Sequence, residues 1–220
     1  MKKKRIILIV TGILLSGSTG YAKMIAADDF PYSGPLGGNR AGFGWSWGWN
    51  EPPMQFIANN GRVRAENISS SHRRNFPATE KNQTVYFSFL CCVTGEKDGV
   101  YTAKFDLRSE AELVASIGVT GKTFMGAIGG SGQKPFGNYT QGKAHRIVGK
   151  LEFNAEKNAE RLSVWVDPAG ESDPAAGTVL ADSGFDSVSR AQIQTLVLNA
   201  GGTAEFGDLR IGTEMKDVLP

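Results

Sequence analysis

The stretch that decides the fold is "HRIVGKLEFNAEKNAERLSVWV", His145 to Val166. Its first nine residues alternate. Ile147, Gly149, Leu151 and Phe153 fall on one side of an extended chain, and Arg146, Val148, Lys150 and Glu152 on the other. Successive side chains of a strand point to opposite faces, so this run predicts a strand with one buried face. "NAEKNAE" is a polar turn, and "RLSVWV" resumes the alternation with Leu162, Val164 and Val166 on one side. Two alternating runs joined by a short polar link predict an antiparallel pair.

The same rhythm extends outward. "VYFSFLCCV" (Val85–Val93) is dense in aromatic and β-branched residues, and "GVYTAKFDL" (Gly99–Leu107) follows the turn-like "TGEKDG". "TLVLNA" and "AEFGDLRIG" close the chain. Long helical periodicity is absent and Gly reaches 28 residues. Short strands with regular turns predict an all-β protein, a two-sheet antiparallel sandwich. Against this rhythm, "DPAGESDPAAG" (Asp167–Gly177) reads as a loop, "DSVSRAQ" (Asp186–Gln192) as one helical turn capped by Asp186 or Ser187, and "IGGSGQKPFGN" (Ile128–Asn138) as a long glycine-rich loop. That last segment lacks the strand–glycine–Lys–Ser/Thr–helix order of a phosphate loop.

The first 22 residues read as a cleaved secretory signal: basic "MKKKR", the apolar run "IILIVTGILL", then small residues at Gly20 and Ala22. The run is short for a bilayer span, which wants about 20 apolar residues. Residues 1–22 are therefore taken as the signal and 23–220 as a single β-sandwich domain. The implied location is secreted or periplasmic, with no membrane attachment after cleavage. Four of the 24 basic residues, Lys2, Lys3, Lys4 and Arg5, lie in the signal, which leaves 20 against 22 acidic. A mature chain near −2 carries no basic footprint for nucleic acid. Cys91 and Cys92 are the two cysteines. On a strand, adjacent residues face opposite sides, so both read as thiols.

The motifs in order resemble the concanavalin A-like, laminin G-like jelly-roll β-sandwiches secreted by bacteria. "DDFPYSGPLGGNRAGFGWSWGW" is similar to the family's opening, "TVYFSFL" to a central strand, "HRIVGKLEFNAEKNAERLSVWVDPAGESDPAA" to its paired strands and alanine-rich loop, and "EFGDLRIGT" to its closing strand. The resemblance implies two curved antiparallel sheets, with the opening segment returning to pair near the C-terminal strand. It also makes Trp45 and Trp49 packing residues. Trp47 departs from the pattern and has two readings, a third core indole or an exposed platform, with Gly48 as a bulge that turns one ring outward. An exposed indole stacks on a sugar ring or covers an edge.

The chemistry of catalysis is hard to find. A glycosidase flanks the bond with two carboxyl groups, and the glucanases of this fold place them as Glu–x–Asp–x–x–Glu on one strand. "ESDPAA" (Glu171–Ala176) approaches that pattern but lacks the third carboxylate and contains Pro174. Glu110 and Glu112 share a strand face in "SEAEL", amid the residues of a solvated turn, and Asp106 with Arg108 reads as a surface pair. His72 falls in "SSSHRRN", read as a polar loop, and His145 begins a strand. Neither has the spacing of a zinc site or a triad. The resemblance suggests one metal, a structural calcium held by Asp28 or Asp29, with Asp29 preferred, and by Asp208. Hard oxygen donors suit that ion, although Gly207 stands where the closing motif has a second acid.

The expectation is an exported, non-catalytic module that binds a polysaccharide or cell-surface glycan, with Trp47, Asn50, Asn138 and Tyr139 as contact residues. Aromatic faces would stack on sugar and amides would reach its hydroxyls. The alternatives are a structural or protein-interaction domain without sugar binding, and a polysaccharide-degrading enzyme with an atypical site.

Overall fold

The alternating run and its partner form the pair that their pattern predicts. In the computed structural model, β10 (His145–Asn154) and β11 (Ala159–Val166) run antiparallel with Ile147 opposite Val166 and Leu151 opposite Leu162. The structure describes residues 23–50, 56–96, 102–129, 132–154, 159–169, 178–182 and 192–220. The expected signal, the 186–192 helical turn and "ESDPAA" all lie outside them or almost so, with Gln192 alone of the turn included.

Among the described residues the chain forms thirteen strands and one short helix. Before the central pair come β1 (Met24–Asp28), β2 (Gly34–Pro35), β3 (Phe56–Asn59), β4 (Arg62–Asn75), β5 (Val85–Gly95), β6 (Thr102–Ser109), β7 (Glu112–Thr120), β8 (Thr123–Ile128) and β9 (Lys134–Asn138). After it come β12 (Thr178–Asp182), β13 (Thr195–Gly212) and α1 (Met215–Val218). All strand pairings are antiparallel.

Two long strands join the layers of the sandwich, so its hydrogen bonding is continuous. The first half of β13 pairs with β4 and β6, and β6 leads on through β7 and β8 to β9, forming a front layer. The second half of β13 pairs with β5, which leads through β10 and β11 to β12, forming a back layer. The handover falls at a bulge between Gly202 and Ala204, where Gly202 adopts a φ of 93°. A side chain there would strike the Gly95 carbonyl, so glycine serves both the backbone angle and the close approach.

The core lies between the layers. The Phe105 ring of β6 stacks against Phe87 and Phe89 of β5, with centroids 5.0 and 4.8 Å apart. These strands are not hydrogen-bonded neighbours, so the stack is the inter-layer contact. The Phe87 ring occupies the space that a side chain on Gly149 would fill. That explains a glycine in the middle of an apolar face. As the resemblance implied, the opening segment returns to the closing strand: β1 pairs with the end of β13, Ala26 opposite Ile211.

Three local expectations need correction. "SSSHRRN" is not a loop but the second half of β4, paired with β13 from Ser71 opposite Asn199 to Asn75 opposite Thr195. The 128–138 segment contains β9, an edge strand, where Pro135 costs little because one edge needs no donor. The tryptophan stretch is not an unbroken strand; it keeps one isolated bridge, Phe43 with Ala27, and then follows an irregular path. Irregular backbone frees the three indoles from sharing one face.

The outer faces of the two layers differ. On the back, α1 and the C-terminal Leu219 pack with Tyr86, Val148 and Trp165 into a second apolar cluster. On the front, no described residue covers the outward face of β4, β13 and β6. Among the described residues no helix is long and apolar enough to cross a membrane.

Candidate functional site

Strand register places nine side chains in a grid on the front face. Ser71, Asn199 and Lys104 form one row, Arg73, Val197 and Asp106 the next, and Asn75, Thr195 and Arg108 the third. Neighbouring strands lie about 4.8 Å apart and same-face residues about 6.8 Å, so the grid spans about 10 by 14 Å. Asn50 on one side and the β6–β7 turn at Glu110 and Ala111 on the other raise walls around it, and Gln194 adds to the rim. The result is an open groove of about 470 Å³ with Val197 and Ala111 as its apolar members.

The groove is held by hydrogen bonds within the lining. Asn50 docks alongside β4: its N–H donates to the Arg73 carbonyl at 3.0 Å, and its Oδ1 accepts from the Arg73 N–H at 2.6 Å. Asn75 Oδ1 accepts from the Thr195 hydroxyl at 2.9 Å. Asn199 Nδ2 donates to Asp106 Oδ2 at 2.9 Å, and Arg108 Nη2 lies 3.6 Å from the same oxygen. The Asp106–Arg108 pair is thus part of the groove floor, with Asp106 only 7% exposed, rather than a pair on the open surface.

Behind the same strand sits a second polar cluster, fully buried. Asp28 and Arg74 are ion-paired at 2.7 Å with both side chains inaccessible. The Asp28 carboxylate also accepts from the Phe30 N–H, the Tyr32 hydroxyl and the Trp49 indole N–H. Burial pushes the Asp28 carboxyl up and Arg74 down, and the surrounding donors and the opposite charge offset these shifts only in part. Burial and the adjacent carboxylate push the Tyr32 phenol up, which keeps it a donor. Arg74 lies over the Trp45 ring at 4.7 Å and donates from Nε to the Trp47 carbonyl at 2.9 Å. This cluster ties the opening segment to β4, and so sets the position of Asn50.

The expected contact residues separate. Asn50 lines the groove. Trp47 is 68% exposed, while Trp49 is buried and Trp45 half-buried with its indole N–H on the Ala27 carbonyl. Trp47 therefore takes the exposed reading, on the segment between Ser46, whose N–H donates to the Asn75 carbonyl, and Asn50. Asn138 is exposed at the end of β9, on the opposite edge of the front layer from β4. Tyr139 is a correction: it is buried, and its hydroxyl bonds the Val93 N–H at 2.6 Å and the Lys143 carbonyl at 3.1 Å. It closes a loop onto β5 and offers nothing to a ligand.

The two histidines also stand apart from the groove. His72 faces inward from β4, edge-on to Phe56 at 4.6 Å, and neither ring nitrogen reaches a hydrogen-bond partner. Burial pulls its pKa below the usual imidazole value. His145 does meet a carboxylate, Asp167, at 2.7 Å across the β10–β11 pair. Spacing along the chain gave no sign of it. Glu110 lies in the turn with a φ of 50°, so it does not share a strand face with Glu112. Cys91 and Cys92 are both buried and unbridged, and burial pushes both thiols up.

Two of the carboxylates expected to hold calcium, Asp28 and Asp208, are engaged by arginines. Register sets Asp28 opposite Leu209, next in the chain to Asp208. Asp208, however, is turned onto Arg146 and Arg210. Burial raises its pKa, but the hydrogen bonds from Arg210 and Arg146 outweigh it and hold the carboxyl below its usual range. Asp28 is committed to Arg74. Among the described residues no three His, Cys, Asp or Glu side chains converge.

No family model and no curated protein matches this chain. Solved structures do share its shape. The CBM2 module of Lactobacillus casei BL23 phage J-1 evolved Dit matches with a TM-score of 0.55 at 14% identity, over 90% of this chain and 98% of that one. SCLam, a non-specific endo-β-1,3(4)-glucanase from family GH16, matches with a TM-score of 0.54 at 14% identity, over 88% and 91%. Trypanosoma rangeli sialidase matches with a TM-score of 0.52 at 10% identity, over 87% of this chain and 30% of that one. The shared fold is the concanavalin A-like jelly-roll sandwich.

Proposed function

We propose that this chain is an exported, non-catalytic module that binds a glycan in the groove over β4, β13 and β6. The observation that carries the reading is the grid itself: polar side chains from three strands converge on one open face, while the equivalent face of the other layer is covered by α1. Sugars are recognised by several hydrogen bonds at once, and a rigid sheet presents such groups at fixed spacing. A patch about 10 by 14 Å suits a short oligosaccharide. Carbohydrate-binding and carbohydrate-cleaving proteins among the structures of similar shape support the ligand class, although a shared fold does not choose a function.

Binding without cleavage is supported by the carboxylates. Asp106 is tied to Asn199 and Arg108, which leaves Glu110 without a free partner across the groove. Acid–base glycosidases use two such groups. Export rests on the 1–22 segment, and the partner would be extracellular or periplasmic polysaccharide.

Backbone-amide NMR titration with a panel of oligosaccharides tests the reading. Binding should move the resonances of Ser71, Arg73, Asn75, Thr195 and Asn199, with no release of reducing ends. A panel that moves none of them, or cleavage lost on Glu110→Gln, overturns it.

A further inference from the structure

We infer that the groove selects an anionic glycan, one that presents a carboxylate or sulfate group to Arg73. This rests on the glycan-binding reading of the groove and names the class of sugar. Four arginines lie on β4, and three of them reach a carboxylate: Arg62 with Glu205, Arg64 with Glu66 and Arg74 with Asp28. Arg73 reaches none among the described residues. Its backbone is held on both sides, by Asn50 and by pairing with Val197, so the side chain rises from a fixed point of the groove wall. A guanidinium offers a planar fork of donors that matches a two-oxygen anion.

The remaining hydrogen-bond capacity of the lining points the same way. Asn50 and Asn75 have spent their amide oxygens on Arg73 N–H and Thr195, so each keeps its NH₂ to offer. Arg108 holds Asp106 through Nη2 and the Ala111 carbonyl through Nη1. Lys104 adds a third cation to the grid. Against these donors stand two carboxylates and the amide oxygens of Asn199 and Gln194. Asp106 is already engaged by Arg108 and Asn199. Glu110 stands in the turn at the groove end. With Arg73, Arg108 and Lys104 against two carboxylates, one of them already engaged, the charge balance of the groove fits an anionic ligand. The polarity also gives direction: the anionic group lies toward Arg73, and sugar hydroxyls, which can donate, lie toward Glu110.

The test is calorimetry of the full mature chain with uronate oligosaccharides, the same oligosaccharides after carboxyl reduction, and sulfated oligosaccharides. The acidic forms should bind about tenfold more tightly than the reduced ones, the size of one charge-assisted hydrogen bond. Arg73→Gln should remove that preference, so that the acidic and reduced forms bind alike. Arg161→Gln, which removes the same charge from β11 in the other layer, should keep the preference. The ratio between uronate and sulfate forms identifies which anion is read. Equal binding of acidic and reduced forms overturns the anion selectivity while leaving the groove reading intact. A preference that survives Arg73→Gln overturns the role of Arg73. Absence of binding by every form overturns the groove reading and this inference together.

Discussion

Arg73 and Arg74 are chain neighbours with the same side chain, and strand alternation sends them to opposite sides of the front layer. Arg74 is buried against Asp28, capped by two indoles, and bonded to the Trp47 carbonyl. Arg73 stands in an open groove with no carboxylate in reach among the described residues. The first holds the opening segment against the sandwich; the second has a charge left to spend on something else. Partner satisfaction, not residue type, separates a structural cation from one available to a ligand. The two are nonetheless coupled, because the Arg74 cluster positions the segment that carries Asn50, and Asn50 fixes the Arg73 backbone.

The sharpest way to break the contrast is Asp28→Asn. It leaves Arg74 buried without its counter-charge, and loss of one partner of a buried pair costs about 3–5 kcal/mol. The urea midpoint should fall accordingly, and Trp45 and Trp49 emission should shift to the red as the segment loosens. Replacing both members, Asp28→Leu with Arg74→Met, should cost less than Asp28→Asn alone, because no charge is stranded. A double variant as unstable as the single would show that the lost hydrogen bonds to Asp28, not the stranded charge, set the cost. Tyr139→Phe comes next. It removes the hydroxyl that satisfies the buried Val93 N–H, at a cost of about 1–3 kcal/mol. Glycan affinity at 25 °C should not change, since Tyr139 lies outside the groove lining. A fall in affinity without a fall in stability would restore it as a contact residue.

His72 gives a smaller effect with a defined sign. Its folded pKa lies below the ordinary 6.5, so beneath pH 6.5 the unfolded chain takes up a proton that the folded chain resists. Its contribution to stability is full above pH 6.5 and is lost as pH falls below it. One proton changes stability by at most about 1.4 kcal/mol per pH unit. Urea unfolding of the wild type and His72→Leu, compared at pH 7.5 and pH 5.5, should show the gap between them moving in favour of the variant at the lower pH. Parallel curves would mean that His72 is protonated, or equally solvated, in both states.

The same inward face explains what the sequence concealed. β10 and β11 were legible because their inward residues are apolar and their outward ones mostly polar, so period two shows at a glance. In β4 the inward residues are His72 and Arg74, and the outward ones Ser71, Arg73 and Asn75. Polar on both sides, the run carries no alternation and reads as a loop. Its inward polarity has its reason in Asp28, 46 residues away, which no local pattern reveals. The groove was hidden in the same way, since its grid joins positions near 73, 106 and 197 that meet only through register. Asn50 was within reach of sequence reasoning because it adjoins the tryptophan stretch. Tyr139 was misplaced because a tyrosine in a loop looks alike whether its hydroxyl faces solvent or a strand N–H. The four-residue α1 has a capping box, Glu214 with Asp217, but is too short for periodicity to announce it.

Trp47 gives the smallest effect on stability and the finest test of the contrast between the two sides of β4. At 68% exposure its indole contributes little packing, so Trp47→Ser should change stability by no more than about 0.5 kcal/mol. Its backbone carbonyl still accepts from Arg74 in that variant, so the buried cluster should survive and Asn50 should stay in place. The other three tryptophans are buried or half-buried, which makes Trp47 the indole most open to acrylamide. If the glycan spans the wall from the groove to the tryptophan segment, saturating ligand should protect that fluorescence from quenching, and the protection should vanish in Trp47→Ser. Affinity should then fall by about 0.5–1.5 kcal/mol, the worth of a lost aromatic contact. Unchanged quenching with unchanged affinity would confine the ligand to the strand grid and leave Trp47 as an exposed ring on a segment whose purpose is served by its backbone.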